Sequence, residues 1–207
     1  MTGNGRVEIT SSANLTGSAS VIDVFAGDGD VFVVNTGTMT NEGVNATILF
    51  RHTGDGRIVN SGQIIQSGQF GRAIEGVSGP MVVINTGLIV ATVVLSQGDD
   101  VFDTRGGRTT GPIIGASGND RYIIDETPVN ISESSNNGRD TVDSFAAVTI
   151  LPDGVEVLNL FGVAQTGIGN GLDNRMVGSA LANTLRGLFG DDALFGQDGD
   201  DAIDGGA

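Results

Sequence analysis

Cysteine, tryptophan and lysine are all missing from this 207-residue chain, and proline occurs only four times. Without cysteine there is no disulfide framework, no thiolate zinc site and no thiol nucleophile. All ten basic residues are arginines, set against 25 acids, for a net charge of −15. So acidic a chain repels nucleic acid and anionic lipid, and cations are its natural partners. No apolar run is long enough to span a membrane. The opening MTGNGRVEITSS has no charged-then-apolar signal region, so secretion would use another address. Catalytic signatures are missing too: no Gly-x-Ser-x-Gly elbow, no His-Glu-x-x-His pair and no phosphate loop. The lone histidine, His52, lies in Arg51-His52-Thr53-Gly54-Asp55-Gly56-Arg57. An acid/base or sugar-binding loop needs several convergent ionisable groups. One His with two Arg supplies too few, and a plain corner loop is the favoured reading.

Glycine, by contrast, is abundant at 34 residues, and 39% of the chain is hydrophobic, much of it β-branched. That content is enough for a core and favours strands. The length allows one elongated domain or two small ones. Val33-Val34-Asn35-Thr36-Gly37 recurs as Ile58-Val59-Asn60-Ser61-Gly62 and as Val83-Ile84-Asn85-Thr86-Gly87, 25 residues apart each time. Gly29, Gly54 and Gly79 keep the same period. A fixed period in this range indicates a solenoid whose coils each read strand, corner, strand. Stacked coils would place Asn35, Asn60 and Asn85 above one another in a hydrogen-bonded ladder.

The C-terminal end carries a shorter repeat. Gly187-Leu188-Phe189-Gly190-Asp191-Asp192-Ala193-Leu194-Phe195 is followed by Gly196-Gln197-Asp198-Gly199-Asp200-Asp201-Ala202-Ile203-Asp204, and a third copy starts at Gly205. The series begins earlier, at Gly169 and Gly178, with Asn174 and Asn183 at position 6 and Met176 and Leu185 at position 8. Gly-Gly-x-Gly-x-Asp-x-apolar-x is a known calcium-binding nonapeptide. Each copy makes a turn and a short strand whose position-8 side chain faces inward. If copies turn at alternate edges, equivalent turns lie two copies apart, pairing Asn174 with Asp192 and Asn183 with Asp201. Calcium takes six to eight oxygens, mixing carboxylates with the carbonyls that glycine-rich turns expose. Candidate ligands are therefore Asp192 and Asp201, with Gly187, Gly190, Gly196 and Gly199 shaping their turns. Asn174 and Asn183 would make weaker or purely structural sites.

Between the two repeats, Gly115–Ile123 matches the nonapeptide at positions 1, 4, 6 and 8, adding Asp120. Gly98-Asp99-Asp100-Val101-Phe102-Asp103 carries its second half, adding Asp100. Ala26–Phe32 resembles a degenerate unit with its glycines out of phase. Tyr122–Asp125, Val129–Ile131, Asp140–Phe145 and Val155–Leu160 read as strands without a repeat, separated by turns at Ser134–Gly138 and Pro152–Gly154. The segmentation is a β-helical segment over 1–95, an acidic turn and strand spacer over 96–168, and a nonapeptide roll over 169–207.

The copies at Gly115–Ile123 and Gly169–Ala207 resemble the hemolysin-type (RTX) calcium-binding family, and the likeness covers about half the chain. Residues 31–90 resemble the coils of bacterial β-helical adhesins. The resemblance implies an all-β, parallel β-solenoid in which a β-helix is followed by a calcium-binding β-roll. It implies Ca²⁺ held in the turns, unfolded export from a Gram-negative bacterium by type I secretion, and a place outside the cell at its surface. The expected function is a calcium-binding module without catalysis, with a glycan or cell-surface ligand as a further partner. The alternative is the non-catalytic repeat end of a secreted carbohydrate-active enzyme of lyase or epimerase type. Some residues depart from the family pattern. Leu188 and Gln197 replace the second glycine, Phe189 is bulky for a turn, and the chain stops inside a repeat, before any terminal export signal.

Overall fold

A computed structural model describes residues 6–207 except 26, 70, 127 and 135–137. Part of the Ala26–Phe32 unit and part of the Ser134–Gly138 turn thus lie outside the described residues. Every described strand pairs in parallel, and the chain is a β-solenoid. No helix among the described residues is long and apolar enough to cross a membrane.

One ten-stranded sheet runs the length of the molecule. Its strands are Val7–Ser11, Val31–Asn35, Gly56–Asn60, Met81–Asn85, Val101–Asp103, Arg121–Ile124, Thr141–Ser144, Val157–Leu160, Arg175–Val177 and Ala193–Phe195. In the first coils two more sheets complete a three-sided cross-section. The second holds Asn14–Gly17, Thr38–Asn41, Gln63–Gln66, Leu88–Val90 and Arg108–Thr109. The third runs from Ile22–Val24 through Ile48–Phe50, Arg72–Gly76, Thr92–Val94 and Ile113–Ile114 to Ile131–Ser132. A fourth sheet then takes over opposite the long one, with Val148–Ile150, Thr166–Ile168, Thr184–Arg186 and Ala202–Asp204.

The register shows how the coil shrinks. Val31 pairs with Gly56 and Gly56 with Met81, a coil whose successive asparagines stand 25 apart in the chain. Val101 pairs with Arg121 and Arg121 with Thr141, and here the step is 20. Thr141 pairs with Val157 at a step of 16. Val157 pairs with Arg175 and Arg175 with Ala193, each at a step of 18. The repeat-free stretch 122–160 is therefore part of the same ladder. Three of its strands stand where the sequence suggests, the expected Val129–Ile131 is met only at Ile131 by a strand Ile131–Ser132, and Val148–Ile150 is added.

Side-chain alternation along a strand sends every second residue inward. Val33, Ile58, Val83, Phe102, Tyr122, Val142, Leu158 and Met176 form one continuous inward column, all fully buried. Met39, Ile64 and Ile89 face it from the second sheet, and Ile48, Ile74, Val93 and Ile113 from the third. Burying one such side chain contributes roughly 1.5–3 kcal/mol, so these columns hold the coils together. Where the roll becomes two-sided its interior is thin. A side chain at Gly167 would sit 2.8 Å from Leu158 Cδ2 and 2.9 Å from Met176 Cε, so glycine here lets those side chains fill the thin interior without shifting. Position 8 of the nonapeptides is fully buried at Met176 and Leu185 and partly buried at Leu194, whereas Ile203, in the last strand with no further coil stacked on it, is 51% exposed.

The asparagine ladder forms. Asn35 Nδ2 donates to Asn60 Oδ1 at 2.8 Å, and Asn60 Nδ2 donates to Asn85 Oδ1 at 2.7 Å. The amides also cap the corner carbonyls, Asn35 to Gln63 O at 3.0 Å and Asn85 to Arg108 O at 3.2 Å. Ser11 occupies the equivalent place one coil earlier, and Asn35 Oδ1 is left without a donor. Replacing Asn60 removes one buried ladder bond from Asn35 and one from Asn85, leaving Asn35 Nδ2 with Gln63 O at 3.0 Å and Asn85 Oδ1 with the Gly87 N–H at 3.3 Å. Asn60→Ala is expected to lower the unfolding free energy by about 2–3 kcal/mol, read from the urea midpoint. A loss below about 0.5 kcal/mol would mean that the ladder adds no net stability.

Candidate metal centre

The residue just before each strand of the long sheet stands at a corner, in line with its equivalent in the next coil. In the wide coils this column holds Asp30 and Asp55, both exposed, and then Pro80. From the fifth strand onward it is turned inward and acidic at every level but one: Asp100, Asp120, Asp140, Glu156, the neutral Asn174, and Asp192. These side chains reach back along the axis. Asp100 Oδ1 accepts the Met81 N–H at 2.5 Å, Asp120 Oδ1 that of Asp100 at 2.8 Å, and Asp140 Oδ1 that of Asp120 at 2.8 Å. Glu156 Oε2 takes the Asp140 N–H at 2.8 Å, and Asp192 Oδ1 takes that of Asn174 at 2.8 Å. Across the roll Asp201 Oδ1 accepts from Asn183 N at 2.9 Å. The expected pairing of Asn174 with Asp192 and of Asn183 with Asp201 is thus found, and the two pairs lie at opposite edges.

The candidate ligands differ in what occupies their second oxygen. Asp100 is saturated: Ser96 N donates to Oδ2 at 2.8 Å, and Ser96 Oγ lies 3.0 Å from Oδ1. Asn174 and Asn183 are internally satisfied as well. Asn174 Oδ1 accepts Asn170 N at 2.8 Å while its Nδ2 donates to Val155 O at 3.2 Å. Asn183 Oδ1 accepts Ser179 N at 2.7 Å while its Nδ2 donates to Ala164 O at 3.0 Å. These amides staple coils together. By contrast Asp192 Oδ2 is buried with no hydrogen-bond partner. It faces the Cα of Gly187, where a side-chain carbon would also lie 2.5 Å from Gly205 O. Asp201 Oδ2 stands in the same relation to Gly196. The position-1 glycine therefore leaves a space toward which a carboxylate oxygen converges, at Gly187 together with a carbonyl.

The turns around these aspartates share a backbone signature. Position 4 has positive φ at Gly118, Gly190 and Gly199 (127°, 115° and 116°). Position 2 does so at Ala116, Leu188 and Gln197 (81°, 84° and 72°), where the family motif has its second glycine. The asparagine-bearing copies at Gly169 and Gly178 show neither. Left-handed φ costs a non-glycine residue about 1–2 kcal/mol.

A third group gathers where the coil passes from three sides to two. Glu133 directly follows Ile131–Ser132, and Asp140 directly precedes Thr141–Ser144. One carboxylate oxygen from each of Asp120, Glu133 and Asp140 lies within 4.8 Å of the others, an arrangement that can hold a metal ion. Asp120 and Asp140 are both 1% exposed, and Asp120 Oδ2 has no partner. Tyr122 Oη donates to Glu133 Oε1. Burial, opposed by the backbone hydrogen bonds, pushes Asp120 up to about 8 and both Asp100 and Asp140 up to about 6. Burial likewise lifts Glu133 to about 7, with Asp140 and Glu156 adding repulsion.

Of this triad only Asp120 stands at a nonapeptide position. A signal for Asp140 is nevertheless present, since Gly98-Asp99-Asp100, Gly118-Asn119-Asp120 and Gly138-Arg139-Asp140 recur at one fixed spacing. Glu133 belongs to no repeat and is placed only by the fold. His52 sits in the corner before Gly56–Asn60, 2% exposed and packed on Phe50 with ring centroids 5.2 Å apart. Burial lowers its basicity and hides it from any substrate at the flank. Comparison with family models, with characterised proteins and with solved structures returned no match.

Two outcomes are expected. Asp100, Asp120, Asp140 and Glu133 have folded-state pKa values above their ordinary ones, so the folded protein holds protons that the unfolded chain releases. The stability they lend is full below about pH 4 and declines through the window up to about pH 8. Asp103 acts in the opposite sense: despite the cost of burial, its hydrogen bonds to Arg105 hold its pKa down. Urea unfolding in chelator should show the decline, and Asp120→Asn should flatten it. In the turns, Gln197→Gly should stabilise by about 0.5–1 kcal/mol as left-handed strain is relieved. Gly190→Ala should destabilise, since its Cβ would lie 2.6 Å from Leu172 O. Equal melting temperatures for the two variants would refute the turn assignment.

Proposed function

We propose that the chain is a calcium-binding solenoid module of a secreted bacterial protein, with Ca²⁺ held in its aspartate-bearing turns. The observation that carries this reading is the unpartnered, buried Asp192 Oδ2 beside Gly187, with the Gly205 carbonyl turned to the same space. An ionised oxygen buried without a donor is costly unless a cation faces it. The donor set is all oxygen. Zinc prefers nitrogen or sulfur, and magnesium demands a strict octahedron and keeps its waters, whereas calcium accepts carboxylates and carbonyls in tolerant geometry. Asp201, beside Gly196, offers the equivalent oxygen on the opposite edge. Asn174 and Asn183, with their amides already bonded to backbone, brace the roll between the binding turns.

Stacked carboxylates in the thin two-sided roll repel one another when no cation is present, and binding energy then becomes folding energy. Extracellular calcium modules bind at roughly 10⁻⁴–10⁻³ M, so such a roll stays loose in the cytosol and closes after export. This fits the resemblance to the hemolysin-type repeats and their unfolded, type I route to the cell surface. The apolar three-sided part, held by the asparagine ladder, needs no ion to fold.

In the 207-residue chain, calcium at about 10 mM, above that affinity range, should raise the melting temperature and the strand signal in circular dichroism relative to chelator. Asp192→Asn combined with Asp201→Asn should remove most of the gain and the matching heat in calorimetry. Superimposable melts in chelator and calcium would sink the reading.

A further inference from the structure

We propose a second, separate divalent-cation site, built from Asp120, Glu133 and Asp140 at the handover from the three-sided to the two-sided coil. It goes beyond the nonapeptide turns, because Glu133 and Asp140 belong to no nonapeptide copy, only Asp120 stands in one, and the site lies on other coils than Asp192 and Asp201.

Three observations converge on it. The first is the cluster itself: three carboxylate oxygens from three chain segments, mutually within 4.8 Å. The second is independent of the first. Asp120 is only 1% exposed, yet its Oδ2 has no hydrogen-bond partner. That atom is aimed into the cluster, since a side-chain carbon on Gly115 would meet Glu133 Oε1, Tyr122 Oη and Asp120 Oδ2 together. The third is the absence of a protein cation to balance the charge. Among the described residues no ion pair involves Asp120, Glu133 or Asp140. The neighbouring Arg121 is turned outward, where its Nε donates to Asp143 Oδ2 at 2.6 Å. Glu156, which accepts the Asp140 N–H, adds a fourth acid close by.

An all-oxygen set of three carboxylates with a phenol beside it suits a hard divalent ion, calcium above magnesium for its tolerance of irregular geometry. Its work there is mechanical. Glu133 leaves the last strand of the third sheet and Asp140 enters the long sheet, so one ion ties both ends of that connection to the coil before it. The third sheet ends at this level with Ile131–Ser132, and the fourth begins only at Val148–Ile150.

Tyr122 is the only tyrosine and there is no tryptophan, so tyrosine-sensitised terbium luminescence reads this site alone. Tyr122 stands four coils from Leu194 in the inward column, about 19 Å at strand spacing, and sensitisation falls steeply with distance. Titration of the full chain with terbium, excited through tyrosine, should give saturable emission that excess calcium displaces. Glu133→Gln or Asp140→Asn, checked for retained strand signal by circular dichroism, should weaken terbium binding by roughly tenfold or more. Asp192→Asn with Asp201→Asn should leave the emission intact while abolishing the calorimetric heat of the C-terminal turns. Absent tyrosine-sensitised emission from the wild-type protein would overturn the proposal, whatever the C-terminal turns bind. So would emission unchanged in both Glu133→Gln and Asp140→Asn.

Discussion

Parallel coils stacked at strand spacing bring each residue to rest on its own equivalent, about 4.8 Å away along the axis. Like therefore meets like, and the outcome depends on chemistry. Apolar side chains gain from it, as the column from Val33 to Met176 shows. Asparagine gains too, because an amide is donor at one end and acceptor at the other, so Asn35, Asn60 and Asn85 chain together without residual charge. Aspartate cannot do this. When ionised its oxygens only accept and stacked copies repel, and burial answers by raising the pKa of Asp100, Asp120 and Asp140. The acidic corner column meets the problem partly by taking one backbone N–H per carboxylate. What is left over, the second oxygen, distinguishes braces from the proposed binding positions. Asp100 uses Ser96, Asn174 and Asn183 replace that oxygen by a donor, and Asp120 and Asp192 are left with nothing.

The parts legible in the sequence are those where stacking demands identity. The regular return of Asn-Thr/Ser-Gly predicts the ladder because only asparagine extends it. The nonapeptide phase predicts the pairing of turns two copies apart because each copy is one strand and one turn. Legibility falls where stacking demands only similarity. Phe102, Tyr122, Val142 and Leu158 occupy one column. Any large apolar side chain serves there, so the strands of these coils carry no repeat of their own, and only the recurring Gly-x-Asp at Gly98, Gly118 and Gly138 marks the coils of intermediate length. Glu133 is harder still, since its place depends on where a connection of changed length returns to the wall. The left-handed backbone at Leu188 and Gln197 runs against residue preference, and only the glycine expected at that position by resemblance points to it.

The change of cross-section follows from the same geometry. The long coils at the start enclose three apolar walls, and the short coils at the end enclose two. Fewer residues per turn leave less interior per coil. Glycine at 167 leaves room on the far sheet for the ends of Leu158 and Met176. As apolar area per coil drops, the relative weight of corner contacts rises. In the wide coils the corner acids Asp30 and Asp55 are left in solvent, whereas Asp100, Asp120 and Asp140 are drawn into the wall.

The single sheet shared by all coils also bears on cooperativity. Each coil touches only its neighbours, so the molecule behaves as a one-dimensional chain of coupled units. Wide units with neutral ladders and narrow units with charged corners differ in intrinsic stability and in coupling across their shared faces. Melting then proceeds as a boundary that moves along the axis, and different spectroscopic probes report different midpoints. In such a molecule an ion bound at one level acts as a pin on that boundary, and its effect is felt by every coil the boundary would have to cross.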